Sequence, residues 1–113
     1  MSERIPKINA LIQHELSELL SREIEFPGNC LVTIVGVETS KDLRHAKVWV
    51  SILPEFYIGK AFEQLKREAG HLQFLLNKRL SMKPLPRLSF AIDDTEQKAS
   101  DIESLLDQIA KTK

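Results

Sequence analysis

The stretch AFEQLKREAGHLQFLLNKRL, residues 61–80, decides how the chain folds. Apolar side chains recur at helical spacing on both sides of Gly70, which predicts two amphipathic helical runs that each bury one face. The runs are marked by Ile58, Ala61, Phe62 and Leu65 before the glycine and by Leu72, Leu75, Leu76 and Leu80 after it. A glycine inside a helix costs about 1 kcal/mol relative to alanine, so we expect a sharp kink at this position.

Basic side chains gather around the expected kink, as a surface for a phosphate backbone requires. They are Lys66, Arg67, Lys78 and Arg79, with His71 directly after the glycine. On a helical wheel, His71, Phe74 and Lys78 share the face opposite the leucines. Bases stack on aromatic rings while cations hold the backbone, so this trio is a candidate grip for single-stranded or irregular RNA. The alternative is that Phe74 covers a neighbouring loop.

The residues before this stretch predict one helix and a β-hairpin. Residues 6–25 carry an apolar stripe of helical period and end at a Pro-Gly-Asn stop. Residues 30–39 are rich in β-branched side chains, and residues 43–53 alternate between apolar and polar types. A short polar turn joins these two strands, which predicts an antiparallel pair. Lys47, Trp49 and Ser51 are expected on the non-core face of the second strand, near Val32 or Ile34 of the first.

After residue 80, alternation at Leu88, Phe90 and Ile92 predicts a third strand. Ile102, Leu105, Leu106 and Ile109 then mark a closing helix. The whole chain, residues 1–113, is expected to form one α+β domain in the order α-β-β-α-kink-α-β-α. Its three-stranded sheet would be covered by helices on one face.

Composition excludes several functional classes. The formal net charge is zero, but residues 41–90 hold ten basic and four acidic side chains, while each flank holds three basic and six acidic ones. This asymmetry indicates a local basic surface. We find no nucleophile motif, metal-ligand spacing or phosphate-binding loop, so we expect neither an enzyme nor a cofactor. The lone Cys30 and the lack of a membrane-length apolar run predict a cytoplasmic protein that does not bind membranes.

The element order resembles a type II KH domain, and the run from Val37 to Ser51, VETSKDLRHAKVWVS, resembles the signature of bacterial ribosome-binding factor A. The resemblance continues through Gly70, the Leu75-Leu76 pair, Lys78 and the segment PRLSF at residues 86–90. It covers nearly the whole chain. The family has an Ala-x-Gly kink where this chain reads Glu68-Ala69-Gly70, and a carboxylate at position 68 would repel phosphate.

The resemblance implies a non-enzymatic, monomeric assembly factor that binds the small (30S) ribosomal subunit and assists late maturation of its 16S rRNA. An assembly GTPase is a further candidate partner. The candidate RNA-binding residues are Lys66, Arg67, Gly70, His71, Phe74, Lys78, Arg79, Lys41, Arg44, Arg4 and Lys7.

A competing interpretation makes the chain a protein-interaction module. Small α+β domains with an open sheet face often bind partners through that face, and Trp49 would then be the anchor.

Overall fold

The computed structural model describes residues 4–81 and 85–93, which form an α+β fold. Its elements are α1 (Arg4–Glu23), β1 (Leu31–Thr39), β2 (His45–Leu53), α2 (Ile58–Arg79) and β3 (Arg87–Ile92), with short 3₁₀ turns at Pro27–Asn29 and Glu55–Tyr57. The predicted first helix and the three strands are confirmed. The expected closing helix at residues 102–109 lies outside the described residues.

The strands form one sheet in the order β1-β2-β3. The hairpin is antiparallel, as predicted, and β3 pairs with β2 in parallel. Parallel neighbours need a crossover connection, which α2 supplies. Both described helices pack on one face of the sheet. All the buried strand residues point to that face: Ile34, Val37, Ala46, Val48, Val50, Ile52 and Leu88. The other face carries Lys47, Trp49 and Ser51.

The predicted helix pair is wrong, because α2 is one continuous helix with Gly70 inside it. Its buried residues Ala61, Leu65, Leu72 and Leu76 keep the same helical spacing on both sides of the glycine, so one continuous apolar face packs on the core. A cost of about 1 kcal/mol for the glycine is too small to break a helix that buries four such side chains. Neither α1 nor α2 is long and apolar enough to cross a membrane.

The expected neighbours of Trp49 are also wrong, because β1 contains a bulge. The register shifts between Ile34 and Gly36, so that Trp49 lies opposite Gly36. Val32 and Ile34 pair with Ile52 and Val50, which are buried, and they therefore face the core. A bulge inserts one residue into a strand and changes which side chains share a face beyond it.

The two glycines at positions 28 and 70 make a matched test of this description. Gly28 has φ +63°, and a Cβ placed there would overlap the Tyr57 ring, whereas a Cβ at Gly70 meets nothing within 4 Å. Gly28→Ala should therefore destabilise the fold by about 2 kcal/mol, through left-handed strain and displacement of the ring. Gly70→Ala should instead stabilise it by about 0.5–1 kcal/mol.

Chemical denaturation of both variants measures these opposite changes. If Gly70→Ala lowered the stability instead, the result would support the kink that the sequence predicted and contradict a continuous helix.

Candidate nucleic-acid interface

One face of α2 points away from the sheet and carries a line of cations around an exposed ring. Lys60, Arg67, His71, Phe74 and Lys78 recur every three, four or seven residues, and all are exposed. Phe74 is 54% exposed, and the Lys78 Nζ lies 4.4 Å from the centroid of its ring. We call these five residues the α2 stripe. The predicted placement of His71, Phe74 and Lys78 opposite the buried leucines is confirmed.

The stripe includes one cation, Lys60, that was not among the residues predicted to bind RNA. Lys60 lies two turns before Arg67 on the same face, and this seven-residue spacing was the available signal. Glu68, expected to repel phosphate, is half-buried on the side of α2 that carries Gln64 and Leu75. Glu63 is instead the carboxylate that interrupts the stripe.

Two of the predicted cations beside the stripe have other surroundings. Lys66 lies at its flank, with Nζ 5.4 Å from the ring centroid of the half-buried Phe62. Arg79 turns toward α1, where its Nη1 lies 3.0 Å from both Glu15 Oε2 and Glu18 Oε2. The hydrogen bond to Glu15 raises the pKa of the guanidinium. A phosphate would have to compete with two carboxylates for Arg79.

A second group of predicted cations lies where β2 and β3 begin. The β1–β2 turn holds Lys41 and Arg44, and the Arg87 N–H donates to the Arg44 carbonyl at 2.8 Å. Asp42 shapes this turn by accepting from the Ser40 hydroxyl at 2.6 Å and from the Arg44 N–H at 3.1 Å. Both bonds lower the pKa of the Asp42 carboxyl, and the bond from Ser40 has the larger effect. The turn is therefore held by an ionised carboxylate at neutral pH.

Side-chain amides bring this turn to the same end of the molecule as the beginning of α1 and the end of α2. Asn9 of α1 accepts from the Thr39 N–H at 3.0 Å. Gln73 of α2 donates to the Pro86 carbonyl at 3.1 Å and accepts from the Leu88 N–H at 2.8 Å. We call this region the basic end. The exposed cations that the structure describes there are Arg4, Lys7, Lys41, Arg44, Lys78 and Arg87.

Trp49, the anchor of the competing interpretation, is a poor docking point. The Lys47 Nζ lies 4.5 Å from its ring centroid. The indole N–H is buried and finds no acceptor within residues 4–81 and 85–93. The side chain is half-buried between the register partners Gly36 and Ala91.

Among the described residues, His14, Glu15 and Glu18 are the one group whose ligand atoms lie close enough, within 4.8 Å, to share a metal ion. The Arg79 guanidinium already bridges both carboxylates. A metal would have to displace this cation, so the group is a poor metal site.

Comparison with known proteins gives one consistent result. The family model for ribosome-binding factor A matches residues 4–106. The chain is 35% identical over 111 residues to the ribosome-binding factor A of Akkermansia muciniphila, covering 98% of this chain and 88% of that protein. It is 40% identical over 106 residues to that of Thioalkalivibrio sulfidiphilus, covering 93% and 82%.

Solved structures agree with this match. The crystal structure of ribosome-binding factor A from Thermus thermophilus is similar with a TM-score of 0.66 and 28% identity, covering 78% of this chain and 93% of that one. A homology model of the Thermus thermophilus factor, fitted into the cryo-EM map of its 30S complex, has a TM-score of 0.66 and 30% identity. That match covers 75% of this chain and 90% of the other.

Proposed function

Because the chain belongs to the ribosome-binding factor A family, we propose that it binds the small ribosomal subunit and assists late maturation of 16S rRNA. The proposal gives it a binding role without catalysis, as a monomer in the cytoplasm. The relative from Thermus thermophilus was fitted into the map of a 30S complex, which supports the same partner here. An assembly GTPase that acts on the same particle belongs to the proposal as a further partner. The α-β-β-α-β order of the described elements also supports kinship with type II KH domains.

The pairing of Lys78 with Phe74 is the observation that carries the proposal. An aromatic ring that is more than half exposed and has an ammonium group 4.4 Å from its centroid offers a stacking surface beside a phosphate contact. Base stacking on such a ring contributes roughly 1–3 kcal/mol, and neighbouring cations gain affinity by releasing counterions from the backbone. The α2 stripe extends this arrangement along the helix with Lys60, Arg67 and His71.

RNA reaches the basic end as well in this proposal. The cations at the beginnings of β2 and β3 are fixed to α2 through Gln73, so they form one surface with Lys78. A local surface of this kind explains how a chain of zero net charge binds a polyanion. Most acidic residues of the described ranges lie outside it, and salt screens charges that are more than about 10 Å away.

Lys78 and Arg79 are adjacent in sequence and make a matched test. Lys78 is exposed beside Phe74, whereas Arg79 is held by Glu15 and Glu18. Lys78→Gln should weaken binding to 16S rRNA about fivefold and reduce the salt slope by about one. Arg79→Gln should change rRNA affinity by less than about twofold and lower the melting temperature, because it loses a contact between α1 and α2.

Titrations at several salt concentrations, together with thermal unfolding, give both readouts. Equal losses of RNA affinity for the two variants would contradict the assigned roles.

Phe74 is tested against Leu11, an exposed apolar residue on α1. The two side chains are 54% and 45% exposed. Phe74→Ala should lose about 1 kcal/mol or more of rRNA binding free energy, since a stacking surface is removed, while its melting temperature stays nearly unchanged. Leu11→Ala should leave both quantities as they are. A large loss of stability in Phe74→Ala would mean that the ring packs inside the fold, and the stacking role would be lost with it.

A further inference from the structure

The end of the sheet opposite the basic end exposes large apolar side chains. Leu31 and Leu53 are the first pair of the β1–β2 ladder and are 62% and 46% exposed. Phe56 follows in the turn before α2 and is 77% exposed, with its ring 4.4 Å from that of Tyr57. We call Leu31, Leu53 and Phe56 the apolar end. Exposed apolar groups of this kind mark contact surfaces more often than scattered single residues do.

Carboxylates surround the apolar end. Glu25 lines a groove of about 610 Å³ together with Leu31. Glu55 precedes Phe56 directly, and it lines a smaller groove with Leu53 and Asp93. The apolar end therefore has an acidic rim of Glu25 and Glu55.

We propose that the apolar end is a docking surface for a basic protein segment of the small subunit, one that presents large apolar side chains flanked by lysine or arginine. The inference rests on the proposed function, and it assigns RNA to the basic end and the outward face of α2, and protein to the apolar end. An acidic rim repels phosphate and attracts cations, while the apolar centre provides the water-excluding contact.

Charge disfavours the other occupants. A second copy of the chain would place two acidic rims against each other, and like charges across an interface oppose association. The chain's own residues 94–113 hold five acidic and three basic side chains, so they too have the wrong sign. A basic protein segment complements both the apolar centre and the rim.

The test compares two probes, purified small ribosomal subunits and protein-free 16S rRNA. Phe56→Ser should weaken binding to subunits about tenfold and leave rRNA binding unchanged, because a central apolar anchor is lost. Glu55→Lys should weaken subunit binding about threefold yet strengthen rRNA binding, since the same charge change has opposite effects on a basic protein and on a phosphate backbone. Leu11→Ser, at an exposed apolar site on α1, is the matched control and should change neither.

Five results would overturn the inference. Phe56→Ser could leave subunit affinity unchanged, or weaken rRNA binding equally. Glu55→Lys could strengthen both complexes, which would place RNA at this end. A dimer of the free chain that Phe56→Ser dissociates in sedimentation would make a second copy the occupant. A large drop in the melting temperature of free Phe56→Ser would mean that the chain itself covers the ring.

The proposed function has its own test, which is independent of the apolar end. If Lys78→Gln and Phe74→Ala bind rRNA like the parent chain, the α2 stripe loses its role whatever happens at Phe56.

Discussion

The burial of one face of α2 is the constraint on which the rest of the structure depends. Leu65, Leu72 and Leu76 have no solvent-exposed surface, and α2 packs against α1 and the sheet. Fully burying a leucine is worth roughly 1.5–3 kcal/mol, so three of them fix the rotation of the helix about its axis. That rotation alone sends Phe74, Lys78 and the rest of the α2 stripe to the solvent. The candidate RNA surface is thus a direct consequence of core packing.

Side-chain amides add the second constraint by joining both edges of the sheet to the helices. Asn9 and Gln13 of α1 bond the backbone of β1 at Thr39 and Ile34, and Gln73 of α2 bonds the backbone beside and within β3. Edge strands have backbone N–H and carbonyl groups on their outer side that form no hydrogen bond with a neighbouring strand, and these amides bind several of them. They also set where the β1–β2 turn and the start of β3 lie, which gathers their cations at one end.

The separation of the two ends follows from the same topology. The crossover through α2 makes β2 and β3 parallel, so the beginnings of both strands, with Arg44 and Arg87, share one end. Leu53 and Phe56 are left at the other. One small domain can in this way present a basic end and an apolar end, and the zero net charge of the chain conceals the difference.

The sequence predicts much of this fold because buried residues recur at the spacing of a helix or of a strand. Ile12 and Leu16 follow a helical period and Val48 and Val50 follow a strand period, and all four are buried as expected. It could not predict the bulge at Gly36, which depends on strand pairing. The kink at Gly70 was wrong because local propensity yields to a continuous buried stripe. The bonds from Arg79 to Glu15 and Glu18 join residues distant in sequence, which no local pattern reveals.

Tethered hydroxyl-radical cleavage tests the central claim, that the outward face of α2 lies on rRNA of the small subunit. The native Cys30 is buried, and burial raises the pKa of its thiol, so an introduced surface cysteine should be labelled selectively. An iron chelate on Glu63→Cys, within the stripe, should cleave 16S rRNA in the subunit complex, and the same chelate on Ser17→Cys of α1 should cleave it weakly. Strong cleavage from position 17 without cleavage from position 63 would contradict the account.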